Sequence, residues 1–297
     1  MTHPSSRMFD DGSKSSRTSR LRDSPPGRRY ARTPSNLLST VIPVRRPLTM
    51  KSLLLALAAT VLLTVSASAA DEKPLKVLLI TGGCCHDYAY QSDELKKALA
   101  ENGVAADVNV VMEGGTGTEA QIDLYNDPNW ADGYDVVVHN ECFANTDDPQ
   151  YVRSITSAHK KGVNAVVIHC AMHTYRKATI DDWREFLGVT SRRHDHKSEY
   201  PVKVVAKDHP IMDGFPSDWS TPKDELYVIE KLWPNAKVLA TSVSEKSNDL
   251  HPVFWTNQYG KARVFGTTYG HANETFADPV FRKALTMGIL WAAGRLK

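Results

Sequence analysis

No apolar run in this sequence is long enough to cross a bilayer comfortably. The longest lies in SLLLALAATVLLTVSASAA after Met50-Lys51 and covers about 13 residues, against the roughly 20 that a spanning helix needs. Residues 1–49 lack any periodic apolar pattern. They are rich in Ser and Pro and carry nine Arg and one Lys against three Asp and no Glu, so a disordered basic extension upstream of a start at Met50 is expected. Past residue 70 there is no cationic excess. The whole chain is +2, but residues 1–49 carry +7 and Lys51 one more, which leaves −6 from Asp71 onward. Nucleic-acid binding needs a basic footprint that releases counterions, and this part has none. The HExxH metalloprotease signature is absent, no pair of carboxylates stands out as a glycosidase would require, and there is no internal repeat.

Residues 50–70 do have a recognisable pattern. A basic start, a short apolar run and the small residues near Ala67 to Ala70 read as a secretory signal peptide. Arg45-Arg46 is a weak match to a twin-arginine signal, because Pro47 follows directly. Either route gives an extracytoplasmic product with no integral membrane segment after cleavage. Residues 71–297 are then enough for one domain with a substantial core. Export permits disulfides among Cys84, Cys85, Cys142 and Cys170, but the adjacency of the first two makes two independent bridges awkward, so at most one is expected.

The mature chain alternates strand and helix patterns. Lys76 to Thr81 is a buried-strand run ending in Gly82-Gly83, and a helix capped by Ser92 follows, with Leu95, Ala98 and Leu99 on one face and Gly103 as its stop. Strands are expected at Ala105 to Met112, Tyr134 to His139 and Asn164 to His169, with a helix at Pro149 to Lys161. This order implies right-handed crossovers and a doubly wound α/β fold with a mostly parallel sheet. Further on, Ile180 to Leu187 reads as a short helix, and Val202 to Ala206, Leu226 to Ile229 and Lys237 to Thr241 as strands. A hairpin turns at Tyr259-Gly260-Lys261, and Asp278 to Ala293 closes the chain as a helix.

His86, His139, His169 and His271 each fall at or just after a strand end. In an open parallel sheet the carboxyl ends share one edge, so distant residues can converge there in a crevice. His169 and His173 are four apart, a spacing that lets two imidazoles reach one metal if the strand runs straight into a helix. The stretch SRRHDHKSEY, with His194, His196 and Glu199, reads as a loop before a strand, either a solvated loop or a lid that supplies ligands. In KDELYVIE, Asp224, Glu225 and Tyr227 interrupt a strand-like run, either to bind a polar substrate or to face water.

Taken together, GGCCHDY, VVIHCAMHTY, HPI at His209 to Ile211, DELY, HPVFWTNQYGKARVFGTTYGH and the closing WAAG resemble the ThuA-like family, named for trehalose utilisation, over nearly all of residues 75 to 295. The resemblance implies a flavodoxin-like sandwich of the class I glutamine amidotransferase type and a link to bacterial sugar metabolism. The amidotransferases carry a cysteine in a glycine-flanked elbow at the equivalent strand end and a late H-x-E. Here Ile168 and Met172 flank Cys170 at two residues' distance, and His271 is followed by Ala272 and Asn273, so glutaminase chemistry is not expected.

The expected protein is a secreted sugar-processing enzyme whose partner is a small carbohydrate. Its metal ligands would be His86, His169, His173 and His271, holding a divalent ion such as zinc or manganese. His169 and His271, with Glu141 or Glu199 as base, would carry catalysis. Asp87, Tyr90, Cys170, Tyr175, Glu225, Tyr227, His194 and His196 would meet the substrate. A keto-sugar suits one base and several imidazoles, because the proton beside a ketone is acidic. The alternatives are a non-catalytic carbohydrate-binding domain and a fold kept for structural or partner-binding purposes.

Overall fold

The computed structural model describes residues 73–296, and the expected basic extension and signal peptide lie outside the described residues. The chain enters on β1 (Leu75–Gly83), every residue of which except Lys76 is buried. Helix α1 (Tyr88–Glu101) follows, and it starts four residues earlier than its expected cap at Ser92. Asp87 takes that role by accepting from the Tyr90 backbone N–H at 3.1 Å, while Ser92 lies inside the helix and donates to the Tyr88 carbonyl at 2.6 Å. After β2 (Ala106–Met112) and β3 (Val136–Cys142), helix α2 (Pro149–Lys161) opens with Asp148 as cap and proline in its first turn, and Gly162 ends it at φ +132°. β4 (Ala165–Ile168) leads through a single 3-10 turn, His169–Met172, towards α3 (Asp182–Leu187).

The second half is mostly antiparallel, although β10 pairs in parallel with β4. It comprises β5 (Val189–Ser198), the two-residue β6 (Lys203–Val204), β7 (Asp224–Leu232), β8 (Lys237–Val243), β9 (Leu250–Tyr259) and β10 (Ala262–Thr267), closed by α4 (Asn273–Ala277) and α5 (Pro279–Ala292). The main sheet runs β2-β1-β3-β4-β10-β9-β8-β6. Its first five strands are mutually parallel and the last three antiparallel, so the doubly wound, mostly parallel α/β architecture is the one observed. α1 and α5 cover one face through Leu95, Leu99, Phe281, Leu285 and Ile289. α2 and α3 cover the other through Val152, Ile155, Trp183 and Phe186. Each of these large side chains contributes roughly 1.5–3 kcal/mol by leaving water, which is why the central strands β1, β3 and β4 are buried on both faces, while the edge strand β2 alternates.

Three expectations need correction. SRRHDHKSEY is not a loop: most of it is β5, paired with β7 in a separate two-stranded sheet whose register shifts three times, which hides the usual alternation. The strand expected over Val202 to Ala206 shrinks to two residues at the sheet edge. The cysteines form two bridges rather than at most one, Cys84–Cys85 and Cys142–Cys170, because adjacency did not stop the first pair from closing on itself.

Candidate functional site

Parallel strands bring their carboxyl ends to one edge, and three histidines converge there. His86 follows β1, His169 ends β4 and His271 follows β10. One nitrogen from each lies within 4.8 Å of the others. His169 sits at φ +46°, a left-handed conformation that a β-branched or bulky residue adopts only under constraint, so the sharp bend at the tip of β4 falls on the histidine and not on Cys170. Gly270 makes the approach of the neighbouring loop possible. A Cβ there would come within 2.9 Å of Ile168 Cγ2 and 3.3 Å of His169 Cβ. Asp224, fully buried, fixes that loop by accepting from the backbone N–H groups of Gly270 at 3.1 Å and His271 at 3.2 Å.

Hydrogen bonding assigns the tautomers. The Thr268 carbonyl lies 2.7 Å from His169 Nδ1, which therefore donates, so Nε2 carries the lone pair and accepts from the Tyr227 hydroxyl at 3.2 Å. The Cys84 carbonyl does the same for His86 Nδ1 at 3.3 Å, which turns His86 Nε2 toward His271 Nδ1 at 3.2 Å. Backbone-anchored imidazoles that present the other nitrogen inward are the arrangement metal sites use to fix ring orientation. Burial, and then the neighbouring His271, lower the His86 pKa to about 4; burial and then His86 push His169 well below its ordinary value. Both rings are therefore neutral near pH 7, as ligands or bases must be.

The carboxylate that meets this trio is Glu225. Its Oε2 lies 3.2 Å from His271 Nδ1, 3.5 Å from His194 Nδ1 and 3.7 Å from His169 Nε2. Burial opposes its ionisation, but the hydrogen bond and charge of His271, with His194 and His86, outweigh that and hold its pKa below the usual value. An open cleft of about 730 Å³ adjoins the trio, lined by Gly83, Cys85, His86, Asp87, Thr116, Lys197, His271, Ala272, Asn273 and Glu274. The volume is in the range of small-molecule sites.

The expected site residues divide accordingly. His86, His169, His271, Glu225, Tyr227 and His194 are brought together, and Asp87 lines the cleft. His173 is not in the trio: the 3-10 turn sends its Nε2 to Ser191 Oγ at 3.0 Å, and its ring stacks on Tyr227 at 4.0 Å between centroids. Glu141 is no base for this cleft, since it is sealed on the other side of the sheet and bonded to His139 Nδ1 at 2.9 Å. Glu199 is exposed after β5, and no described hydrogen bond or ion pair joins it to the imidazoles. His196 pairs with Glu245 at 2.8 Å. Tyr175 is buried in the α2–α3 core, Tyr90 packs toward the α1–α5 core, and Cys170 is bridged to Cys142. His139, grouped with the strand-end histidines, lies inside β3 and faces His159 instead. Lys197 and Thr116 were not anticipated, and Asp224, expected to bind a polar substrate or face water, is instead buried and bonded to the backbone of Gly270 and His271. Lys197 pairs with Glu225 across the β5–β7 ladder, a relation that only the shifted register reveals.

An α/β sheet with a polar constellation at its carboxyl edge defines the class. Residues 76–292 match the ThuA family model, described as trehalose utilisation, and the chain belongs to that family. Among solved structures it is similar to a ThuA-like protein from Parabacteroides merdae, with 26% identity, a TM-score of 0.63, and coverage of 76% of this chain and 92% of that one. It is also similar in fold to a ThuA-like protein from Bacteroides uniformis, with 15% identity, a TM-score of 0.58, and coverage of 76% and 95%. No curated protein matches the chain by sequence.

Proposed function

We propose that the cleft is the active site of a carbohydrate-modifying enzyme acting outside the cytoplasm on a small sugar. The carrying observation is the set of three imidazoles within 4.8 Å of one another beside Glu225. Membership of a family described by trehalose utilisation supports the sugar, and the pattern over residues 50–70 supports export. No second carboxylate contacts the imidazole rings of the trio among the described residues, Asp224 being bonded to the His271 backbone instead, which disfavours ordinary two-carboxylate glycoside hydrolysis. Proton abstraction beside the carbonyl of an oxidised sugar suits the residues better. Glu225 takes the proton, and His271, hydrogen-bonded to it, orients the carboxylate and can pass the proton on. His86 and His169 turn lone-pair nitrogens inward, so they would serve the negative charge developing on the carbonyl oxygen by holding a cation and not by donating to it.

Three clustered imidazoles, two of them with backbone-anchored far nitrogens, fit a zinc or manganese ion with an open position, and such an ion would polarise that oxygen. The decisive experiment is metal analysis of the purified exported chain, followed by a turnover screen over disaccharides and their keto derivatives. Turnover that Glu225→Gln lowers by about 10²-fold or more supports the reading. Saturable sugar binding without turnover would replace it with a carbohydrate-binding domain.

A further inference from the structure

Cys84, Cys85 and Cys142 form one cluster next to the imidazole trio, and Cys170 joins it through its bridge to Cys142. Cys84 Sγ lies 3.7 Å from Cys142 Sγ, so the two bridges touch, and the sulfurs of Cys84, Cys85 and Cys142 all lie within 4.8 Å of one another. A tetrahedral ion with metal–sulfur bonds of about 2.3 Å sets its sulfurs roughly 3.8 Å apart, close to the spacing seen between the two bridges. We infer that, when reduced, Cys84, Cys85, Cys142 and Cys170 form a thiolate site for a closed-shell soft ion of the zinc class, and that the two disulfides are the closed form of the same site. This does not depend on the function proposed for the histidine cleft.

The backbone, not the bridges, holds these sulfurs together. The β1–β3 register sets Gly83 opposite Cys142, and the Cys84 N–H donates to the Cys142 carbonyl at 3.4 Å. A Cβ at Gly83 would lie 2.3 Å from that carbonyl oxygen, so the turn carrying Cys84 and Cys85 is pressed on the end of β3. On the other side, Thr174 donates to the Glu141 carbonyl at 2.6 Å and the Tyr175 N–H to the Phe143 carbonyl at 3.1 Å, which ties the turn after Cys170 to the same strand end. Cys85 is exposed, giving reductant and ion a way in, while Cys142 and Cys170 are buried. Opening is a thiol–disulfide exchange. Each bridge accepts two electrons and two protons from a dithiol, which itself closes to a disulfide, and the ion then displaces a proton from each thiol it takes.

The test is anaerobic titration of the full chain with Cd²⁺, oxidised and after reduction by a dithiol that is then removed. The reduced chain should develop a thiolate-to-metal ultraviolet band saturating near one ion per chain, and reoxidation should expel the ion. The band should persist in a His86→Ala/His271→Ala double variant, which separates it from any ion held by imidazoles. Cys142→Ser, and at the exposed position Cys85→Ser, should each weaken binding by about tenfold or more. A reduced chain that titrates as four free thiols yet shows no band overturns the inference. So does a reduced chain that has lost its near-ultraviolet circular dichroism, because the backbone would then not be holding the sulfurs.

Discussion

Two clusters in this molecule are built from the same side-chain types. At the carboxyl edge, His86, His169 and His271 share Glu225 beside an open cleft. On the face covered by α2 and α3, His139 links His159 to Glu141 with no exposure at all. The sealed cluster is bonded within itself: His159 Nδ1 donates to the Val163 carbonyl at 2.8 Å, His139 Nε2 donates to His159 Nε2 at 3.0 Å, and one proton joins His139 Nδ1 to Glu141 Oε1, while Glu141 Oε2 is buried with no partner among the described residues. At the edge, by contrast, the His86 and His169 Nε2 lone pairs and the Glu225 carboxylate lie beside an open cleft. Residue chemistry does not separate the two clusters; access does.

The largest expected effects test that contrast directly. Glu225→Gln and His271→Ala should each lower turnover by about 10²- to 10⁴-fold while moving the melting temperature little, as steady-state kinetics and a thermal melt on the same samples would show. If activity survived both, the cleft would have no better claim to chemistry than the sealed cluster. His139→Ala should do the reverse, costing roughly 3 kcal/mol in denaturant unfolding by leaving His159 and Glu141 unpaired in the core, with residual folded protein still turning over. A stable but inactive His139→Ala would mean that the two clusters are coupled through the sheet.

A smaller effect should appear with pH. Burial lowers His86 to about 4 and His173 to about 3, and pushes His159 and His169 well below 6.5, so the unfolded chain binds more protons than the folded one below 6.5. Stability is therefore retained above 6.5 and falls as pH drops toward those lowered values, on the order of 1 kcal/mol per pH unit for each histidine kept neutral. Glu225, whose pKa is lowered by its histidine partners, adds to the loss below 4.5. Urea midpoints between pH 7 and pH 4 would check this, and a flat profile would show that these rings charge without cost. Smallest of all, His196→Ala and Glu199→Gln should leave both turnover and stability nearly unchanged, within about 0.5 kcal/mol, because both side chains are exposed away from the trio.

The parallel half of the fold was legible along the chain because its central strands β1, β3 and β4 are buried on both faces and its helices carry their punctuation in sequence: Asp148-Pro149 and Gly162 around α2, Asp278-Pro279 at α5. The antiparallel half was less so. β5 carries three register shifts and mixed charge, and a strand without period-2 alternation looks like a loop. That single misreading hid Lys197 and made His196 and Glu199 seem equivalent to His194.

Sequence pattern alone therefore determined the α/β class and the family, and strand order and parallel direction put His86, His169 and His271 on a common edge, together with His139, which the structure turns into the core. Tertiary structure alone decided which carboxylate serves the trio. Glu141 is at the carboxyl end of β3, as the edge rule asks, yet pleat parity points it into the α2–α3 core with His139, while Glu225 reaches the trio from a separate two-stranded sheet that no strand-order argument locates. The cysteines follow the same division. Their number and adjacency are written in the chain, but the contact between Cys84 and Cys142 exists because hydrogen bonding between β1 and β3 sets Gly83 against Cys142, a register fixed by packing across residues 58 or more apart.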